Sequence, residues 1–146
     1  MSYAMTRTER ERFLAETRIG MLSVAEPGRG PLTVPVWYHY EPGGVVRVVT
    51  GAASLKGRLL RAAGRMSLCA QTETPPYKYV SVEGPVAFAE PDFQRDVRAM
   101  AIRYLGEQMG QLYMDMTAAE RAAEPSVLVE LRPKRWRSVD YGKMTG

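Results

Sequence analysis

Residues 50–71 read TGAASLKGRLLRAAGRMSLCAQ, a pattern that predicts a short basic helix between two β-strands. The run before it, VVRVVT at 45–50, is rich in β-branched residues, as strands are. Ser54 is a favoured N-cap residue, and the helix is expected to end near Gly64. Lys56 then lies in the first turn, where backbone N–H groups and the positive end of the helix dipole favour an anion. This helix start is therefore a candidate phosphate site, with an amphipathic connector of solvated basic residues as the alternative.

The same helix is amphipathic. At 100° per residue, Leu55, Leu59 and Ala63 share one face, and this face is expected to be buried. Arg58 and Arg61 lie three residues apart on another part of the surface, where water is expected to solvate their guanidinium groups.

The run PLTVPVWYHY at 31–40 alternates as a strand does. One side is predicted to carry Leu32, Val34, Val36, Tyr38 and Tyr40, and the other Thr33, Pro35, Trp37 and His39. Because proline cannot donate a ladder hydrogen bond, the strand must lie at an edge or be bulged at Pro35. Its backbone groups are then available to a ligand.

The other elements follow from turns and caps. Thr6 and Glu9 form a capping box that begins a helix ending near Glu16. Gly84 and Pro85 are expected to bend a long strand into two halves. Further strands are predicted at 19–26, 66–73, 77–89 and 126–133, and the tail that carries Trp136 is expected to close the sheet. The order of elements predicts a mainly β protein with helices (α+β), built as an antiparallel barrel of six or more strands.

Two helices are predicted after the long strand. Asp92 caps the first, whose expected apolar stripe contains Phe93, Val97, Met100, Ala101, Tyr104 and Leu105. A short turn of helix is expected to begin at Thr117, where Glu120 completes a second capping box.

Length and composition limit the function. The 146 residues predict a single domain, 1–146, with a self-sufficient core. The single cysteine, Cys69, excludes an internal disulfide and indicates a reducing compartment. The sequence has no secretory signal and no apolar run of membrane length, so a cytoplasmic protein without a membrane partner is predicted. The net charge of +4 comes from dispersed arginines rather than from an aromatic-rich basic face, which argues against nucleic-acid binding.

Common catalytic motifs are absent from the sequence. It contains no GxGxxG, GxxxxGK[ST], CxxC, HExxH or GxSxG, and His39 is its one histidine. A catalytic triad or a histidine-held metal is hard to build from these residues, and no metal site is predicted. A cofactor can instead supply the reactive group, while the protein supplies orientation and electrostatics.

Three stretches taken in order resemble the pyridoxamine 5'-phosphate oxidase-like, FMN-binding split β-barrel superfamily: 30–40, 48–71 and 79–88. The Pro31-x3-Pro35-Val36-Trp37-Tyr38 strand, the Thr50-x3-Ser54-x-Lys56 helix start and the tail 135–141 are most similar to its branch of coenzyme F420 (deazaflavin)-dependent oxidoreductases. Across most of the chain, this resemblance implies a split barrel.

The resemblance also implies a cofactor site and a homodimer with two such sites at the subunit interface. The implied cofactor-binding residues are Pro35, Val36 and Trp37 along the ring, Thr50, Gly51, Ser54 and Lys56 at the phosphate, and Arg61 farther along the helix. FMN oxidases of the superfamily often have Ser-Arg-Lys at this helix start. Leu55 replaces that arginine here, which weighs against tight FMN binding.

The function implied is an oxidoreductase that transfers a hydride from reduced F420 to a small, conjugated, electron-poor organic substrate. The candidate proton donors are Tyr38, His39, Tyr77 and Tyr79. An FMN-dependent oxidoreductase is one alternative. A non-catalytic flavin or haem carrier is another, in which His39 would be the iron ligand.

Overall fold

The computed structural model describes residues 2–145. Its strands are β1 Gly20–Val24, β2 Leu32–Val36, β3 His39–Tyr40, β4 Val46–Gly51, β5 Arg65–Gln71, β6 Lys78–Ala89, β7 Ser126–Leu131 and β8 Arg135–Asp140. Its helices are α1 Arg7–Ala15, α2 Leu55–Ala63, a π-helix Phe93–Arg98, α3 Ala99–Leu105, α4 Glu107–Ala123 and a 3₁₀ turn Tyr141–Thr145. Within the described part of the chain, no helix is both long enough and apolar enough to span a membrane.

All strand pairs are antiparallel, and the strand order is β2-β1-β5-β6-β7-β4-β3, with β8 also paired to β6. Strand β6 turns the corner of the barrel, because residues 79–85 pair with β5 whereas residues 86–89 pair with β7. A Cβ atom on Gly84 would lie 2.0 Å from the carbonyl oxygen of Arg132, so only glycine fits at this corner. The predicted antiparallel split barrel and the bend at Gly84 are confirmed. The tail that carries Trp136 does not close the sheet as expected, because β8 pairs with β6 alone, whereas β7 joins β6 to β4.

The core lies inside the barrel, and the alternation predicted for residues 31–40 places side chains in it. Val36, Tyr38 and Tyr40 are buried, whereas Thr33 and Pro35 are exposed. The run is not one strand, however. Strand β2 ends at Val36 and pairs with β1, whereas β3 begins at His39 and pairs with β4. The chain therefore changes sheets at Trp37 and Tyr38, which the alternation alone did not predict.

Helix α2 has the predicted ends, with Ser54 as N-cap and Gly64 as C-cap. Of the predicted buried face, Leu59 and Ala63 pack partly buried against the core. The face is shifted, however, because Gly57 and Leu60 are buried whereas Leu55 is 44% exposed. A Cβ atom on Gly57 would lie 2.4 Å from the carbonyl oxygen of Gly51. The helix therefore packs on the end of β4 through its glycine, and this contact turns Leu55 outward.

The helices after β6 depart from the sequence predictions in two places. Asp92 caps the first as expected, and its Oδ1 accepts a hydrogen bond from the Arg95 N–H at 2.9 Å. This first turn is a π-helix, whose wider turn shifts the predicted stripe, so Phe93 is 50% exposed.

The second departure concerns α4, which begins at Glu107 and not at Thr117. Gly106, with φ +84°, ends α3 and lets the chain start a new helix at once. Thr117 lies inside that helix, where its hydroxyl donates to the Tyr113 carbonyl oxygen at 2.8 Å instead of capping.

Candidate functional site

A cleft of about 650 Å³ lies between the sheet and the α3 and α4 helices. Strands β2 and β4 form one wall, and helix α4 lines the other from Tyr113 to its C-terminal end. That end lies beside β4, because Ser126 pairs with Gly51. Ten residues of helix span roughly 15 Å. The cleft therefore has an aromatic end near Tyr113 and a charged end near Lys56.

The predicted cofactor-binding residues mostly meet in this cleft. The six that line it are Pro35, Val36, Trp37, Thr50, Gly51 and Lys56. Ser54 and Arg61 are not part of its lining. Ser54 instead caps α2, since its hydroxyl accepts from the Gly57 N–H at 3.0 Å and donates to the Gly51 carbonyl at 2.7 Å. The Arg61 guanidinium lies over the Phe88 ring, 4.4 Å from its centroid.

Lys56 is the unpaired cation of the charged end. Its side chain is half-buried, and burial lowers the pKa of its ammonium group. No carboxylate of residues 2–145 lies within 4.0 Å of it. A partly desolvated ammonium without a counter-ion, in the first turn of a helix, is a binding position for an anion.

Strand β2 presents a free edge to the cleft. It pairs with β1 on one side, where Pro35 faces Met21, and it ends the strand order on the other side. The outer edge of such a strand carries N–H and C=O groups that no neighbouring strand uses. The prediction made from Pro35, that this strand lies at an edge, is confirmed.

The aromatic end is built on Trp37. Its ring stacks on Tyr104 with a centroid distance of 5.2 Å and an interplanar angle of 5°, and Tyr113 lies tilted at 5.3 Å. The Tyr104 hydroxyl accepts from the Tyr38 N–H at 3.0 Å and donates to the Arg18 carbonyl at 2.6 Å. The Tyr104 hydroxyl thus supplies hydrogen bonds between the end of β2 and the start of β3, where no strand pairs.

We expect Tyr104→Phe to lower the free energy of unfolding by about 1–3 kcal/mol, because the half-buried Tyr38 N–H and Arg18 carbonyl would lose their partner. Urea unfolding measures the change. The matched control is Tyr113→Phe, whose hydroxyl has no hydrogen bond to any of residues 2–145, and its effect should stay within about 0.5 kcal/mol. Equal losses in the two variants would contradict this role for Tyr104.

None of the four candidate proton donors lines the cleft. Tyr38 is fully buried and donates to the Leu14 carbonyl at 2.8 Å, and burial raises the pKa of its hydroxyl. The strand alternation that placed it inside the barrel also removes it from the site. Tyr77 and Tyr79 are exposed on the sheet, at 52% and 37%.

His39 is held elsewhere. Its Nδ1 accepts from the Arg47 guanidinium at 2.8 Å, since arginine can only donate. Burial and the charge of Arg47 lower the pKa of the imidazole, so the ring is neutral near pH 7. The structure thus places His39 outside the cleft as a partner of Arg47, and gives no support to it as the iron ligand of a haem in that cleft.

A buried carboxylate, Asp96, forms part of the cleft wall. Asp96 is 1% exposed, and its two oxygens accept from the Arg95 guanidinium at 2.8 and 2.9 Å and from the Asp92 N–H at 2.8 Å. Arg47 of β4 lies 3.5 Å away. Burial alone would raise the pKa of Asp96, but these hydrogen bonds and charges outweigh it and lower the pKa below its ordinary value. Asp96 therefore ties the π-helix to the sheet.

Helix α4 contributes residues that the sequence did not predict as site residues, and the predicted short helix from Thr117 omitted the turn that carries Tyr113. They are Tyr113, Thr117, Glu120, Arg121 and Glu124. Arg121 is held by its own helix, since it donates to the Met114 carbonyl at 2.7 Å and to the Thr117 hydroxyl. These residues could have been found by predicting one long amphipathic helix over residues 107–123.

Comparison with known proteins gives a consistent result. A family model described as "Pyridoxamine 5'-phosphate oxidase" matches residues 6–140. A conserved hypothetical protein of Mycobacterium tuberculosis is similar in structure, with a TM-score of 0.76 and 25% identity over 97% of this chain and 89% of that one. No curated protein matches the chain.

Two further solved structures share the fold at lower identity. An F420 reductase has a TM-score of 0.59 and 19% identity, over 87% of this chain and 94% of its own. A FAD-binding protein of Mesorhizobium loti has a TM-score of 0.62 and 19% identity, over 92% and 93%.

Proposed function

The chain belongs to the pyridoxamine 5'-phosphate oxidase family, and we propose that it is an oxidoreductase that binds reduced coenzyme F420 and reduces a small conjugated organic substrate. Its fold is that of flavin-binding oxidoreductases. The likeness to the F420 reductase is a likeness of fold, at 19% identity. The choice of the deazaflavin therefore rests on the cleft.

The observation that carries the proposal is Lys56, a half-buried cation without a counter-ion at the end of a cleft of about 650 Å³. The phosphate of F420 is a diester with one negative charge, whereas a phosphate monoester such as that of FMN carries about −1.5 to −2. Lys56 and one helix N-terminus match the diester, because Arg121, the other cation in the cleft lining, is already hydrogen-bonded to its own helix. Leu55, at the position where FMN oxidases often have arginine, adds no second cation.

The edge of β2 and the Trp37 side chain support the ring position. Backbone groups on the outer edge of β2, which no strand covers, suit the hydrogen-bonding edge of a flavin-like ring beside Pro35 and Val36. Trp37 and Tyr113 offer aromatic surface to a planar, conjugated acceptor beside it. The cleft would thus hold two flat molecules near each other, and such positioning contributes most of the rate that proximity can supply.

F420, when bound, supplies the hydride, and the protein must supply orientation and a proton. Tyr113 is a tyrosine whose side chain lines the cleft. We assign it the proton-donor role that was predicted for Tyr38, His39, Tyr77 or Tyr79. Pro35, Val36, Trp37 and Lys56 keep their predicted roles in holding the cofactor.

We also propose that two copies of the chain associate. The outer face of the sheet exposes apolar side chains in adjacent positions, because Met21 pairs with Cys69 and Cys69 pairs with Ser81. Met21 is 38% exposed and Tyr79, on the same face of β6, is 37% exposed. Burial of this face would give an interface of the kind that homodimers use. Light scattering of the purified protein tests it.

The first experiment is a fluorescence titration with F420, FMN and haem in one buffer. We expect F420 to bind with micromolar or tighter affinity and at least tenfold more tightly than FMN. A preference for FMN would indicate an FMN-dependent oxidoreductase. A Soret band that His39→Ala abolishes would support the haem carrier instead, and either result would contradict the deazaflavin proposal.

A further inference from the structure

A second pocket, with a volume of about 270 Å³, lies between α1, the turn after β3 and the turn between β7 and β8. We call it the basic pocket, after Arg7, Arg10, Arg132 and Lys134, which line it together with Trp136. None of these residues lines the cleft described above. The proposed function does not use the basic pocket.

The charges of the basic pocket are unbalanced. Glu11 is the one carboxylate in its lining. That carboxylate is already engaged, because Arg7 lies 3.7 Å from it and the Tyr40 hydroxyl donates to it at 3.3 Å. Arg132 and Lys134 form no ion pair with any of residues 2–145. Four cations against one carboxylate repel one another, and an anion between them would relieve that repulsion.

Two of the cations are held in place by the fold. The Arg132 N–H donates to the Pro85 carbonyl at 3.0 Å, and the Lys134 N–H donates to the Glu83 carbonyl at 2.9 Å. Both contacts fix the turn between β7 and β8 to the corner of β6. Because the backbone of this turn is already fixed, binding a ligand costs no ordering of the turn itself.

Arg10 is held from another direction. Its guanidinium lies over the Trp136 ring, 4.7 Å from the centroid, and Trp136 in turn packs edge-on to the buried Tyr40. The Arg10 Nε is buried and has no hydrogen-bond acceptor in the described chain. The contact with Trp136 fixes the Arg10 guanidinium within the lining of the basic pocket.

We propose that the basic pocket binds a small oxyanion with two or more charges, carried by phosphate or carboxylate groups. Cations from two separate segments, α1 and the turn between β7 and β8, converge on a volume that suits a small molecule. Arginine forks bind both phosphates and carboxylates with paired hydrogen bonds. The aromatic floor of Trp136 leaves room for a flat portion of the same ligand beside the charged groups.

The test is calorimetric titration at constant ionic strength with two probes, inorganic pyrophosphate and citrate. We expect saturable binding of at least one probe, with one site per chain, and the probe that binds identifies phosphate or carboxylate as the recognised group. In the double variant Arg132→Gln/Lys134→Gln the affinity should fall at least tenfold. Both side chains are exposed and unpaired, so thermal melting should be unchanged.

Two controls locate the site. Arg12→Gln/Arg29→Gln removes the same charge from exposed residues outside both pockets and should change the affinity less than threefold. Lys56→Gln removes the cation of the cleft and should also have less than a threefold effect. If the first control weakens binding of the probe as much as the double variant does, the attraction is diffuse. If Lys56→Gln weakens binding most, the anion lies in the cleft. If binding does not saturate, there is no site. Each of these results would overturn the proposal.

Discussion

Asp96→Asn is expected to lower the free energy of unfolding by about 3–5 kcal/mol, the usual cost of breaking a buried ion pair from one side. The carboxylate is 1% exposed and accepts from Arg95 and from the Asp92 N–H. An amide in its place would direct two hydrogens at groups that are themselves donors. It would also leave Arg47, whose Nε is buried, without its anionic neighbour.

The pH dependence of this loss follows from the lowered pKa of Asp96. Because the folded protein holds this carboxyl ionised more strongly than the unfolded chain does, its contribution is fully present above the unfolded value of about 4. The contribution disappears as the pH falls through the folded pKa. The difference between wild type and Asp96→Asn should therefore be constant near pH 7 and shrink below about pH 4.

Urea unfolding at several pH values measures both effects. The matched control is Asp115→Asn, which makes the same chemical change on the exposed face of α4, where Gln111 is the hydrogen-bond partner. It should change stability by less than about 0.5 kcal/mol. A loss in Asp96→Asn no larger than in this control would show that the π-helix is not anchored through the carboxylate.

The local features of the fold were predictable because short-range physics decides them. The capping residues Thr6 and Ser54, the alternation around Tyr38 and the edge position of Pro35 each depend on a few neighbouring residues. The corner at Gly84 was also visible, since glycine and proline in the middle of a long strand pattern mark a bend.

What the sequence did not reveal depends on distant contacts. The Tyr104 hydroxyl bonds to backbone groups 66 and 86 residues away, and no local pattern announces such a contact. Asp96 was not predicted, because a charged residue on an amphipathic helix is normally taken as solvated, and the π-helix that turns it inward has no sequence signature. Helix α4 was shortened in the prediction because the Thr117 capping box imitates a helix start.

The same difference between local and distant contacts explains why some predicted site residues line the cleft and others do not. Proximity in sequence suggested Tyr38 and His39, but neither lines the cleft. Tyr38 points into the barrel, and the change of sheets after β2 carries His39 to Arg47 on β4. Lys56 was predicted from its position at a helix start, and it does line the cleft. A side chain in the first turn of a helix that packs beside the end of a strand has few other directions available. The resemblance placed Trp37 there, and the structure supplied the stacked Tyr104 that orients it.

Lys56→Ala is expected to weaken F420 binding by about 10- to 100-fold, which corresponds to the roughly 1.5–3 kcal/mol of a hydrogen bond to a charged group. The phosphate would lose the cation in the first turn of α2, while the helix dipole of α2 would remain. Fluorescence titration of the variant with F420 measures the loss. The matched control is Arg61→Ala, which removes a cation of the same helix that lies over Phe88 outside the cleft, and its affinity should change less than about twofold.

A measurement of stability distinguishes a binding role of Lys56 from a structural one. Burial lowers the pKa of Lys56, and no carboxylate of the described residues pairs with it to compensate. The partly buried ammonium group therefore lowers the free energy of unfolding. Removing the side chain should therefore leave the melting temperature unchanged or slightly raised, although affinity falls. A variant that melts early and binds weakly would mean a damaged helix start. One that binds F420 within about twofold of wild type would show that the phosphate is held elsewhere, and the assignment of the cleft's charged end would then be wrong.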